Sequence, residues 1–131
     1  MRRVVPQPNA FANIRSDDDT AMAYVFAGSG GVMPDAAQGG PGAAIHTLAR
    51  FFFPQYGAML EDPATGSATA NFGAWCLAMG RRVPLRVQIS QGESVGRPSV
   101  LHLEIGSGRN IRVGGHVIAI GSGVVTLDSP D

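Results

Sequence analysis

The densest group of polar residues in this chain that points to a chemistry is Glu61-Asp62-Pro63-Ala64-Thr65-Gly66-Ser67. It stands immediately before an uncharged, largely apolar run, Ala68 to Met79. Pro63, Thr65, Gly66 and Ser67 mark the entry of a helix. Ser67 is the expected N-cap, its hydroxyl accepting from free N–H groups of the first turn. A helix mouth carries unpaired N–H groups and about half a positive charge, and so attracts anions. Gly66 has no side chain to keep a ligand from the backbone. Two readings fit. In one, a small carboxylate docks on the N–H groups of Gly66 and Ser67 while Asp62, held at the rim by Pro63, shares a proton with it. In the other, the same residues only cap a helix, where Asp and Ser are preferred in any case.

The remaining candidates read as structural. His46, His102 and His116 are expected on three separate strands without metal-ligand spacing, and a single cysteine gives no support to a zinc site. That cysteine, Cys76, lies inside the helical run and reads as a packing residue rather than a nucleophile. It also excludes an intrachain disulfide and any Cys-x-x-Cys pair. The Gly-Ser-Gly repeats at 106–108 and 121–123 lack the third glycine of a dinucleotide fingerprint and read as turns. Phe51, Phe52 and Phe53 are expected to fill core rather than to stack on a base. The acidic run Asp17-Asp18-Asp19 reads as a solvated turn, because adjacent carboxylates of an extended chain do not converge on one metal.

Composition narrows the classes further. At 131 residues the chain is one domain or part of one. All ten basic residues are arginine, balanced by ten acidic ones, for a formal net charge of zero. Without lysine there is no Schiff-base chemistry, no pyridoxal-phosphate site and no P-loop. A neutral chain lacks the clustered basic face of a general nucleic-acid binder. Leu, Ile, Val and Phe make up about a quarter of the residues, enough for a core. With 18 glycines and 9 prolines, the fold should be turn-rich and poor in helix. The longest near-apolar stretch spans ~18 Å as a helix, against the ~30 Å of a bilayer core. No apolar leader core follows Arg2 and Arg3, so a cytoplasmic protein without a membrane partner is expected.

These candidates need elements to hold them. Residues 1–20 form a polar, weakly patterned N-terminal segment, and residues 21–131 the folded domain. Ala21 to Ala27 reads as a buried strand, Gly28 to Ala44 as a loop, and His46 to Phe53 as a strand stopped by Pro54. The helix is expected over about 67–79, closed by Gly80. With no charge on any face it should be surrounded by protein, with Gly73 and Ala74 in direct contact with strands. Alternation then takes over: Leu85, Val87 and Ile89 oppose Arg86, Gln88 and Ser90, and Leu101, Leu103 and Ile105 oppose His102 and Glu104. Ile111 and Val113, His116 to Ile120 and Val124 to Leu127 continue the pattern between glycine turns. The fold class is α+β, a mostly antiparallel sheet curled around one central buried helix.

Three strings carry a resemblance. RFFFPQYGAMLEDPATGSATANFGAWCLAMG, QGESVGRPSVLHLEI and IRVGGHVIAIGSG closely resemble the phenazine-biosynthesis-type (PhzF-like) isomerase family, over about Tyr24 to Gly123. The resemblance implies the diaminopimelate-epimerase fold, two similar halves with the active site in the cleft between them. It implies isomerisation by proton movement, without metal or organic cofactor, as in the phenazine-pathway member acting on a dihydro-hydroxyanthranilate. It places Asp62 on the family's second-half acidic residue, which helps position the substrate and assists proton transfer. Gly66 and Ser67 fall on positions whose backbone binds the substrate carboxylate. Racemases of this fold that use two cysteines are not matched by the lone Cys76.

The chain resembles the C-terminal half only. The family's catalytic glutamate and Gly-His pair belong to the first half, and the three glutamates here, Glu61, Glu93 and Glu104, all fall in second-half motifs. The leading expectation is the C-terminal part of a cofactor-independent isomerase, inactive alone, whose partners are a small carboxylate substrate and either a separate first half or a second copy. Two alternatives stay open: a non-catalytic remnant that binds small acids, and one part of a split enzyme.

Overall fold

A computed structural model of the chain describes residues 4–6, 22–28 and 44–126. The acidic run at 17–19, most of the expected loop before residue 44 and Leu127 lie outside the described residues. Among the described residues six strands form one mixed sheet, with one α-helix packed on it: β1 (Ala23–Gly28), β2 (Ile45–Gln55), β3 (Ala58–Asp62), α1 (Gly66–Ala78), β4 (Leu85–Gln91), β5 (Ser99–Ile105) and β6 (Ile111–Gly115). This is the α+β class expected.

The strand order is β1-β2-β4-β5-β6, with β3 also paired to β2. All neighbours are antiparallel except β2 and β4, which run parallel from Ile45 beside Val87 to Leu48 beside Ser90. The chain passes through β3 and α1 between those two strands, as a parallel pair requires a long connection. β1 pairs with β2 over residues 47–52. β3 pairs with residues 51–55 and β4 with residues 45–48. Because β1 already occupies one edge of β2, β3 and β4 must share the other, end to end. Their seam lies beside Ala49 and Arg50.

β3 was not foreseen. It returns from β2 through a two-residue turn in which Tyr56 and Gly57 both have positive φ, 51° and 76°. That is the geometry of a tight hairpin, usually announced by Asn-Gly or Asp-Gly. Pro54 does not end β2, because β1 stops opposite Phe52 and the proline lies beyond it. A second difference lies past β6. The strands expected at His116 to Ile120 and from Val124 onward do not form among the described residues, and Val117, Ile118, Ile120, Val124 and Val125 are exposed.

The core follows the period-two pattern. Leu85, Val87 and Ile89 of β4 and Leu101, Leu103 and Ile105 of β5 point to one face, where they meet Phe72 and Cys76 of α1. Phe26 and Trp75 close the far side, with Phe26 4.4 Å from the Phe72 ring centroid. Phe52 is buried on the opposite face, and Phe51 and Phe53 are half-buried.

α1 is not enclosed as its composition suggests. Its buried stripe is Ala68, Thr69, Phe72, Gly73 and Cys76. Ser67, Asn71, Ala74 and Ala78 line an exposed stripe instead. Those residues are small or polar without charge, so charge alone could not reveal a solvent face. Gly73 does touch strands: a methyl group there would lie 3.0 Å from Leu103 Cδ1 and from Ile111 Cγ2. Ala74 does not.

These positions give a paired test. Gly73→Leu should overpack the helix–sheet contact and destabilise the chain by about 1–3 kcal/mol or more. Ala74→Leu should stay within about 0.5 kcal/mol of the parent. Denaturant midpoints of the two variants decide it, and equal losses would mean that Ala74 is covered.

Cys76 supplies a pH test. Burial pushes its thiol up to about 11, partly opposed by the positive charge of Arg81. At pH 8 on the order of one thiol in a thousand would be ionised at that value. A thiol reagent should therefore react only after denaturant is added. The unfolded thiol ionises earlier, near its ordinary value of 9.0. Stability should thus fall as pH rises from about 9 to about 11, and Cys76→Ala should lose that part of the slope.

Candidate functional site

The site begins with strand alternation. In the β2–β3 hairpin Glu61 lies opposite Phe52 and Asp62 opposite Phe51. Paired residues share a face, so the two adjacent acids point to opposite sides of the sheet. Glu61 faces away from α1 and meets Arg50 in a two-pronged ion pair, Nε to Oε1 at 3.1 Å and Nη2 to Oε2 at 2.6 Å. The side chains are only 12% and 6% exposed. Arg50 also donates to the carbonyl of Val4 and lies over the Phe52 ring. Glu61 is thereby committed to structure, while Asp62 is left on the helix side.

Between Asp62 and the helix the chain makes a short turn. Thr65, not Ser67, takes the N-cap position, with extended backbone (φ −111°, ψ 93°). Its hydroxyl does not cap the helix. It donates to Asp62 Oδ2 at 2.6 Å, and α1 has no side-chain cap. The Thr65 carbonyl accepts from the Thr69 amide and from the Thr69 hydroxyl, each at 3.0 Å. Tyr24 reaches Thr69 from β1, and burial raises its phenol, partly opposed by that hydrogen bond. Ser67 is already inside the helix and exposed, which corrects its expected capping role.

β4 braces the turn from the other side. Gln91, its last residue, is 1% exposed and donates from Nε2 to the Asp62 carbonyl at 2.7 Å and to Thr65 Oγ1 at 2.9 Å. Gly92 follows with φ +85°, and a Cβ there would collide with the carbonyl oxygens of Arg97 and Pro63. Only glycine lets the turn from Glu93 to Gly96 press this closely on Pro63.

Asp62 thus stands at one end of the turn, the last residue of β3, and Gly66 and Ser67 at the other, the first residues of α1; of the three only Gly66 lines the cavity beside them. Gly66 is exposed, with nothing within 4 Å of where its Cβ would be, and it lines an open cavity of about 620 Å³. His102 and His116 also line that cavity. His116 lies just past β6 rather than on a strand, and His46 stands apart on β2. Among the described residues no three of His, Cys, Asp and Glu gather as a metal site would need, and no helix is long and apolar enough to cross a membrane.

The sequence marks Thr65 only as part of the helix entry and Gln91 only as part of a family string, and gives Arg50 no role of its own. A threonine three residues after an aspartate was an available sign of side-chain pairing within a turn. Arg50, an arginine set in an apolar strand, signalled a buried partner. Gln91 gave no local signal, because its partners lie far away in sequence.

The model of the phenazine biosynthesis-like protein family matches residues 6–125. An uncharacterized isomerase of Pasteurella multocida (strain Pm70) is 46% identical over 80 residues, which are 61% of this chain and 27% of that relative. The chain matches only this minor part of the relative's length, yet the family match runs through every element described above, and the chain belongs to the phenazine biosynthesis-like protein family.

Proposed function

We propose that this chain is the C-terminal, carboxylate-binding half of a cofactor-independent isomerase built on a diaminopimelate-epimerase-like plan. The observation that carries the reading is the diverted cap. The Thr65 hydroxyl turns to Asp62, so the first amides of α1 have no side-chain cap. A substrate carboxylate accepts from the N–H groups of Gly66 and Ser67, in the open space where Gly66 has no side chain. Asp62 is held at the same turn and exchanges a proton with the bound acid. The family membership and the relative named as an isomerase support this class of reaction.

Moving a proton between carbons also needs a base at the carbon acid. Glu61 is locked to Arg50, and Glu93 and Glu104 lie on the 3-10 turn after β4 and on β5. The base therefore comes from a first half that closes the cleft. The exposed apolar run from Val117 to Val125 supports a second unit against this one. The substrate is a small aromatic or cyclic acid of the dihydro-hydroxyanthranilate kind, and the chain alone is inactive.

Titration with anthranilate-like acids, followed by NMR, should shift the amide signals of Gly66 to Thr69 with a Kd around millimolar, ~4 kcal/mol. Gly66→Ala should fold normally, since its methyl group meets open space, yet bind more weakly. Shifts confined to other regions would remove the helix mouth as the binding site. In D₂O the chain alone should leave the dihydro-hydroxyanthranilate undeuterated. Fast exchange that disappears in Asp62→Ala would instead favour a self-associated active form. Exchange only on adding a separately expressed first half would identify a split enzyme.

A further inference from the structure

We infer that Gln91 and Thr65 are positioning residues for Asp62, joined in a relay whose hydrogen directions are fixed. This inference rests on the proton-handling role proposed for Asp62. A backbone carbonyl only accepts, so the Gln91 atom 2.7 Å from the Asp62 carbonyl must be the nitrogen. The second hydrogen of that nitrogen goes to Thr65 Oγ1 at 2.9 Å. Having accepted there, the threonine hydroxyl spends its one hydrogen on Asp62 Oδ2 at 2.6 Å. Reversing the amide would set its oxygen against the Asp62 carbonyl. The orientation is therefore held by the backbone of the residue whose side chain it serves.

Two features mark this as more than loop packing. Gln91 keeps its own Oε1 buried with no partner among the described residues. A buried amide half unsatisfied is costly, so the position is defined by what its nitrogen does. Asp62 Oδ2 is occupied, whereas Oδ1 has no protein partner among the described residues. The relay thus fixes the carboxylate rotamer and leaves one oxygen for the substrate.

The test is a double-mutant cycle on the full chain, read at the Gln91 side-chain amide protons at neutral pH. An ionised Asp62 polarises the Thr65 hydroxyl and strengthens its acceptance from Gln91. Asp62→Asn should therefore move the Gln91 proton bonded to Thr65 upfield, although Gln91 does not touch the Asp62 carboxylate. The shift should persist in a Thr65→Ser background and vanish in Thr65→Val, with Thr65→Ala as the second removal if valine does not fit. A Gln91 not linked to Asp62 through the Thr65 hydroxyl would respond alike in all backgrounds, and that result would overturn the relay, as would no response to Asp62→Asn. The measurement contains no ligand. Its failure leaves carboxylate binding untouched, and failure of the acid titration leaves the relay untouched.

Discussion

β2 holds two partners on one edge, and the site exists because of the gap between them. β3 and β4 meet end to end beside Ala49 and Arg50, and neither can continue past the other. Strand ends leave unpaired backbone groups, which must find partners when buried. Gln91 resolves the junction by giving its side-chain nitrogen to the carbonyl of Asp62. The last residue of one strand is thereby tied to the last residue of the other. Everything the helix mouth presents, from Asp62 to Ser67, hangs from that link.

The Glu61-Asp62 pair divides two tasks by strand alternation alone. One carboxylate is buried against Arg50 on the outer face, where removing either partner would leave an uncompensated charge. The other turns to the helix face and meets only a threonine hydroxyl. A slip of one residue in the β2–β3 register would exchange them, placing the structural acid at the mouth. The tight turn at Tyr56 and Gly57 sets that register, so a hairpin at the far end of β3 decides which acid faces the helix mouth.

Much of this was legible beforehand, for physical reasons. Alternation over Leu85–Ile89 and Leu101–Ile105 marks the core because one face of a sheet is buried. The helix and its glycine exit follow from local rules, and the chemistry of helix starts makes Asp62, Gly66 and Ser67 candidates. What stayed hidden was non-local or conditional. The parallel pairing of β2 with β4 leaves no trace at either strand. The Thr65 hydroxyl could cap the helix or serve Asp62, and its long-range partner Gln91 is invisible in the local sequence. The exposed stripe of α1 escaped because Ser67, Asn71, Ala74 and Ala78 look alike in core and in solvent. The run after β6 has strand composition but no strand partner among the described residues, and composition cannot supply one.

The parallel pair has a kinetic consequence. Ile45 cannot settle beside Val87 until the hairpin and the helix between them have found their places. Closing so long a loop costs entropy before the contact returns anything, and such pairings tend to form late. Neighbouring hairpins such as β2–β3 and β5–β6 need no such closure. The bond from Gln91 to Asp62 also bridges the helix, across 29 residues of chain. The helix mouth is then among the last features to mature, and a chain stalled before that step would have secondary structure and much of its core but an unformed helix mouth.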